Sequence, residues 1–145
     1  MRRPEAGGPS VGRLQLCGEP VFVRADGRAA AIDHKDALLL AYLAVEGTAP
    51  RARLAAFIWP EVDRERARTS LRQRLFRLRR TLGVELLREG EVTALRSDLQ
   101  TDLQPPAPEA EVSLAPLLGS FEWRGGGDAA AWLAGARERH LQAQL

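Results

Sequence analysis

Eight arginines crowd the stretch Asp63 to Leu82, DRERARTSLRQRLFRLRRTL: Arg64, Arg66, Arg68, Arg72, Arg74, Arg77, Arg79 and Arg80. Against Asp63 and Glu65 they leave the stretch at +6, while the whole chain of 145 residues carries only +2. Cationic charge is therefore concentrated on one segment, where it suits a polyanion. Thr69 and Gln73 stand among the arginines. These types hydrogen-bond base edges: Gln can pair with adenine and Arg with guanine. The chemistry expected of the stretch is recognition of duplex DNA. A solvated basic face is the plainer reading. Codon bias accounts for 20 Arg to one Lys (Lys35), but it does not gather eight of the twenty onto one segment.

The element that positions these groups reads as a helix. Asp63 is a good N-cap, Glu65 lies in the first turn and Gly83 is a good stop. Leu71, Leu75, Leu78 and Leu82 form one apolar stripe. Winding the rest at about 100° per residue puts Arg66, Thr69, Gln73, Arg77 and Arg80 opposite, with Ser70 and Phe76 at the margins. Arg66, Thr69, Gln73 and Arg77 are the expected base contacts. Arg51, Arg64, Arg68, Arg74 and Arg80 are the expected phosphate contacts, which position without specifying. Arg72 and Arg79 flank the stripe and suit pairing with acidic neighbours.

Earlier in the chain, residues 1–12 are rich in Gly, Pro and charge and read as a flexible arm, whose Arg2 and Arg3 could touch a phosphate. Leu14 to Cys17, Val21 to Arg24 and Ala29 to Ile32 follow, with Asp26-Gly27 as a tight turn; they predict a small antiparallel sheet of three strands. Lys35 to Val45 is apolar on nearly every side and predicts a central buried helix, capped by Asp33 and stopped by Gly47. Arg51 to Trp59 predicts a second helix that Pro60 ends. Only Pro60-Glu61-Val62 separates it from the arginine-rich helix, so the two form a helix-turn-helix whose second member enters the major groove. Glu85 to Arg88 and Val92 to Arg96 bracket Glu89-Gly90-Glu91 as a hairpin, a wing whose Arg88 and Arg96 could reach phosphates. Glu89 and Glu91 at its tip oppose that.

The run FIWPEVDRERARTSLRQRLFRLRRTLG resembles the helix-turn-helix of SARP-type bacterial transcriptional activators, a branch of the OmpR/PhoB-type winged helices. Trp59-Pro60, Asp63, Ala67, Ser70-Leu71, Leu75 and Leu78-Arg79-Arg80-x-Leu82 carry the resemblance, with the strand-turn-strand opening and AYLAVEG ahead of it. It implies a winged helix that binds short direct repeats in double-stranded promoter DNA, transcription activation with RNA polymerase as a further partner, and a following bacterial transcriptional activation domain. Asp98 to Asp102 resembles the opening segment of that domain, and Pro105, Pro106 and Pro108 lie in the connection. Ser113 to Gly119, Phe121 and Asp128-x-x-x-Trp132-Leu133-x-x-x-Arg137-Glu138-Arg139 look like its first two helices. Val92-Thr93 stands where relatives often have an aromatic, and 104–111 lacks another. The chain stops at Leu145, where family members continue through further helices, which fits a truncated chain or a natural short form.

Other chemistries find little support. His34, His140 and the single Cys17 have no metal-ligand spacing; each histidine reads as a surface or capping residue and Cys17 as a buried structural thiol. Gly125-Gly126-Gly127 lacks the Lys-Ser/Thr of a phosphate loop, and Asp98 and Asp102 read as capping groups. No nucleophile stands with a base, so an enzyme is not expected, nor a cofactor. Ala37 to Val45, the longest apolar run, is too short to span a bilayer, and MRRPEAGGPS has no apolar run behind its basic residues; the cytoplasm is the default.

The expected architecture is α+β. It comprises a 1–12 arm, a winged helix-turn-helix over 13–97 (leading sheet, three-helix core, C-terminal hairpin wing), a 98–112 linker and a short helical segment over 113–145. In the last, Trp132, Leu133, Ala136, Leu141 and Leu145 should pack on Leu114, Leu117, Leu118 and Phe121, or mediate self-association. The expected function is sequence-specific binding of double-stranded DNA in transcription regulation. The rival is a non-enzymatic protein-interaction module whose basic helix meets an acidic partner.

Overall fold

The computed structural model describes residues 11–90, 92–103 and 115–143. Residues 1–10, Glu91, the 104–112 part of the expected linker, Ser113, Leu114, Gln144 and Leu145 lie outside them. The described residues form a mixed α+β structure of four helices and two small sheets. None of its helices is long and apolar enough to cross a membrane.

Alternation builds the first sheet. β1 (Gly12–Gln15), β2 (Val21–Arg24) and β3 (Ala29–Ala31) pair antiparallel, with Leu14 opposite Phe22 and Phe22 opposite Ala30. Leu14, Leu16 and Phe22 are fully buried while Arg13, next to Leu14 on β1, faces solvent, the period-two pattern of a half-buried sheet. The turn is held by Asp26, whose Oδ1 accepts from the Arg28 amide at 2.9 Å.

α1 (His34–Glu46) runs through the core, with Ala37 to Ala41 and Leu43 buried. Asp33 caps it by accepting from the Lys35 amide at 3.0 Å, and Gly47 ends it at a φ of 93°. β4 (Thr48–Ala49) leads into α2 (Arg51–Ile58), and the turn Trp59 to Asp63 joins α2 to α3 (Arg64–Leu82). β5 (Leu87–Arg88) and β6 (Thr93–Leu95) form the hairpin expected there, in shorter strands. β4 adds to β6, giving a second sheet in the order β4-β6-β5.

Three features depart from expectation. The leading sheet has a fourth strand, β7 (Leu99–Thr101), parallel to β1, so the segment expected to be a linker from residue 98 begins as part of the sheet. Asp102 then turns its carboxylate back, accepting from the Leu16 and Cys17 amides at 2.9 and 3.0 Å. It serves as a cap, as its type suggested, but on a strand end far away in sequence.

Residues 115–120 form a turn, where a helix reaching Gly119 was expected. Leu117 bridges Cys17, and the Leu118 amide donates to the Leu16 carbonyl at 2.6 Å, so this backbone is spent pairing with the chain just past the end of β1. Leu118 is fully buried with a φ of 60°, a conformation a branched side chain adopts only under tight packing. Arg137 clamps the turn, donating to the carbonyls of Leu117, Gly119 and Phe121 at 2.8, 3.1 and 2.6 Å.

The last helix, α4 (Ala129–Ala143), joins the main core: Ala129, Leu133 and Ala136 are buried in one cluster with Leu38, Leu54, Leu117 and Leu118. Trp132 lies 5.2 Å from Tyr42 and 5.6 Å from Phe57, ring to ring, and its Nε1 donates to Glu46 at 2.8 Å. Leu141, expected on the apolar side, is instead exposed. His140, expected at the surface or as a cap, rests on Cys17 with Nε2 3.2 Å from Sγ. His34 stacks on Phe121 at 4.9 Å. Burial first, then the Asp102 carboxylate, pushes the Cys17 thiol up to about 12, the state of an inert structural thiol.

Candidate nucleic-acid interface

α3 is placed by its apolar stripe and fastened at both ends. Ala67, Leu71, Leu78 and Leu82 are buried, with Leu75 half-buried beside them. Asp63 Oδ1 accepts from the Arg66 amide at 3.1 Å, and Glu65 meets the positive end of the helix dipole. At the other end Gly83 takes the left-handed conformation, φ 77°, and its amide closes on the Arg79 carbonyl. Arg24 on β2 donates to the Leu82 carbonyl at 3.3 Å, tying that end to the first sheet. The other face of a helix so anchored is a rigid display.

The four residues expected at base edges, Arg66, Thr69, Gln73 and Arg77, are all exposed on that display. Arg64, Arg68 and Arg80 are exposed with them, as is Arg72. Of the eight arginines on α3, only Arg74 and Arg79 form ion pairs among the described residues. Arg79 stands 3.8 Å from Glu85, the acidic neighbour its place beside the stripe anticipated. The remaining six are exposed and make no ion pair among the described residues.

Three of the expected phosphate contacts are engaged elsewhere. Arg74 turns inward, its side chain only 22% exposed, with Nη1 3.0 Å from Asp33 Oδ2 and 2.9 Å from Asp36 Oδ1. On a helical wheel it lies roughly 40° from Leu78, so the α1 carboxylates reach it before solvent does. Burial raises the Asp36 pKa above the usual carboxylate value, and Arg74 opposes that rise by hydrogen bond and charge. Arg96 forks onto Asp98 at 3.0 and 2.8 Å and donates to the Glu85 carbonyl at 3.2 Å, which makes it a staple of the hairpin base. Arg51 pairs with Glu89 near the hairpin tip. Arg88 remains exposed, with Nε 3.4 Å from the Leu95 carbonyl.

One residue from the margin of that face gains weight in the structure. Phe76, assigned to the margin of the outward face, is 50% exposed on it. The Arg79 and Arg80 guanidiniums lie 5.5 and 5.8 Å from its ring centroid. Arg72, Gln73, Phe76 and Arg77 together line a shallow, open depression. The signal was present in the sequence: the centre of the buried arc falls near Leu78 and Leu71, which puts Phe76 roughly 30° from the outermost line of the helix.

No family model, curated protein or solved structure matches the chain. The chemistry of α3 is therefore what bears on function. Among the described residues no three His, Cys, Asp or Glu side chains gather to hold a metal ion. What the surface of α3 can do is neutralise a polyanion while offering neutral donors and acceptors at its centre.

Proposed function

We propose that the protein is a sequence-specific, double-stranded DNA-binding transcription regulator in which α2, α3 and the β5–β6 hairpin act as a winged helix-turn-helix. One observation carries the reading: Arg66, Arg72, Arg77 and Arg80, all exposed and without an ion pair among the described residues, surround Thr69 and Gln73 on the outward face of α3. Arg66, Thr69, Gln73 and Arg77 meet base edges, and Arg64, Arg68, Arg80 and Arg88 meet phosphates. Arg74 and Arg96 leave the contact set, and Arg51 joins it only by releasing Glu89. The resemblance to SARP-type activators adds the finer expectations of direct repeats in promoter DNA and activation through RNA polymerase.

Gln73 against Arg80 tests the assignment. On a duplex enriched by the protein from a random pool, Gln73→Ala should cost roughly 1–3 kcal/mol and relax preference at one or two base positions, with little change in salt dependence. Arg80→Ala should weaken binding to specific and scrambled duplexes alike and make the salt slope shallower by about one unit. Equal loss on both duplexes with Gln73→Ala would mean that the helix lies in the groove on another face. Failure to enrich any duplex would leave the acidic-protein rival standing.

A further inference from the structure

Phe76 is the one large apolar side chain exposed on the cationic face of α3. Exposing half a phenyl ring to water is unfavourable, and nothing in the charge of the helix requires an aromatic there. Its surroundings are specific: Gln73 and Arg77 share its depression, and Arg79 and Arg80 lean on the ring. Those guanidiniums keep the ring flanked by positive charge, so the patch complements a polyanion and not a bare apolar surface. A major groove offers one apolar group among its base edges, the 5-methyl of thymine, beside the N6 and N7 of adenine that glutamine can bridge.

We infer that Phe76 reads a thymine 5-methyl group in the major groove, next to the base edge that Gln73 addresses. The inference rests on the DNA-binding reading above and assigns it a second kind of contact. Ring and methyl bury each other, while Arg80, beside the ring, keeps its guanidinium for the adjoining backbone and Arg79 stays with Glu85. Discrimination at this position is apolar, so it survives salt that weakens every arginine contact.

The test replaces each thymine of the enriched duplex in turn by deoxyuridine, which removes only the methyl group. For the intact protein, one or two positions should bind about four-fold more weakly as deoxyuridine, from the burial of one methyl. Phe76→Ala should bind the thymine and deoxyuridine duplexes equally at those positions, and Phe76→Leu should keep part of the difference. Because position 76 is exposed, unchanged circular dichroism and melting are expected of both variants. If the protein prefers its enriched duplex over a scrambled one yet tolerates deoxyuridine everywhere, Phe76 does not read a methyl, and the DNA-binding reading stands. If Phe76→Ala retains the discrimination, another residue reads the methyl and the assignment is overturned. If no duplex is preferred at any salt concentration, the DNA-binding reading has failed and this inference falls with it.

Discussion

Removing Ala129–Ala143 is expected to destabilise the whole fold and not merely to trim an appendage. α4 contributes Ala129, Leu133 and Ala136 to the core, and its departure uncovers Leu117 and Leu118, which are fully buried. It also strips Trp132 from the Tyr42 and Phe57 rings and leaves the carbonyls of Leu117, Gly119 and Phe121 without the Arg137 donors. At about 1.5–3 kcal/mol for each large side chain lost from the core, the deletion costs about 5 kcal/mol or more. That rivals the entire stability of an ordinary domain, about 5–15 kcal/mol. Thermal melting followed by circular dichroism should show a midpoint lower by about 15 °C or more, or no cooperative transition. Leu133→Ala alone should cost about 2–4 kcal/mol. An unchanged, cooperative melt of the shortened chain would show that α4 is independent of the core.

Arg74→Ala should damage stability while its neighbours on α3 damage only binding. The substitution leaves Asp36, whose side chain is 11% exposed, beside Asp33 with only the charge of Arg77 to offset it, and breaking so well shielded a pair costs about 2–4 kcal/mol. Arg74 is not perfectly satisfied even in the native fold, since its Nε is buried without a hydrogen-bond partner among the described residues. The pH dependence has a definite sign. Burial holds the Asp36 pKa above its ordinary value, so its contribution to stability is complete below the ordinary carboxylate range and is lost as pH rises through the folded value. Removing Arg74 raises the folded value further. The penalty of Arg74→Ala should therefore be larger at pH 7 than at pH 4, as denaturant titrations at the two pH values would show. A penalty independent of pH would mean that lost packing, and not the stranded carboxylate, dominates. Arg80→Ala, by contrast, should melt like the parent protein.

Local signals were legible and distant ones were not. The ends of α3 are written in Asp63 and Gly83, and those of α1 in Asp33 and Gly47, because capping is a matter of neighbouring residues. The turn at Asp26-Gly27 and the hairpin about Gly90 were visible for the same reason. β7 was not, because Leu99–Thr101 pairs in parallel with a strand more than eighty residues earlier, and no local pattern encodes such a partner. Likewise the 115–120 turn exchanges its hydrogen bonds with Leu16 to Gly18, just past the end of β1, and short leucine-rich runs read as helix until their distant partner is known.

The interface divides in the same way. Exposure of Arg66, Thr69, Gln73 and Arg77 follows from helical periodicity alone. The pairing of Arg74 depends on α1 crossing that side of α3, and the fork of Arg96 on Asp98 depends on the base of the hairpin. Charge type predicted what these arginines could bind. Only the packing determined that carboxylates of the same chain reach them first. Phe76 lies between the two cases: winding put it at the margin of the outward face, and only the packing showed how much of its ring stays exposed and which guanidiniums lie beside it.

The most direct test of the central claim is the association constant for the enriched duplex, measured across salt concentrations. If the outward face of α3 meets DNA, counterions are released from four or five phosphates, and log K should fall against log salt with a slope of about −4. A slope near zero, or no binding at low salt, would contradict the account, because Arg64, Arg68, Arg80 and Arg88 cannot meet a phosphate backbone without displacing its counterions.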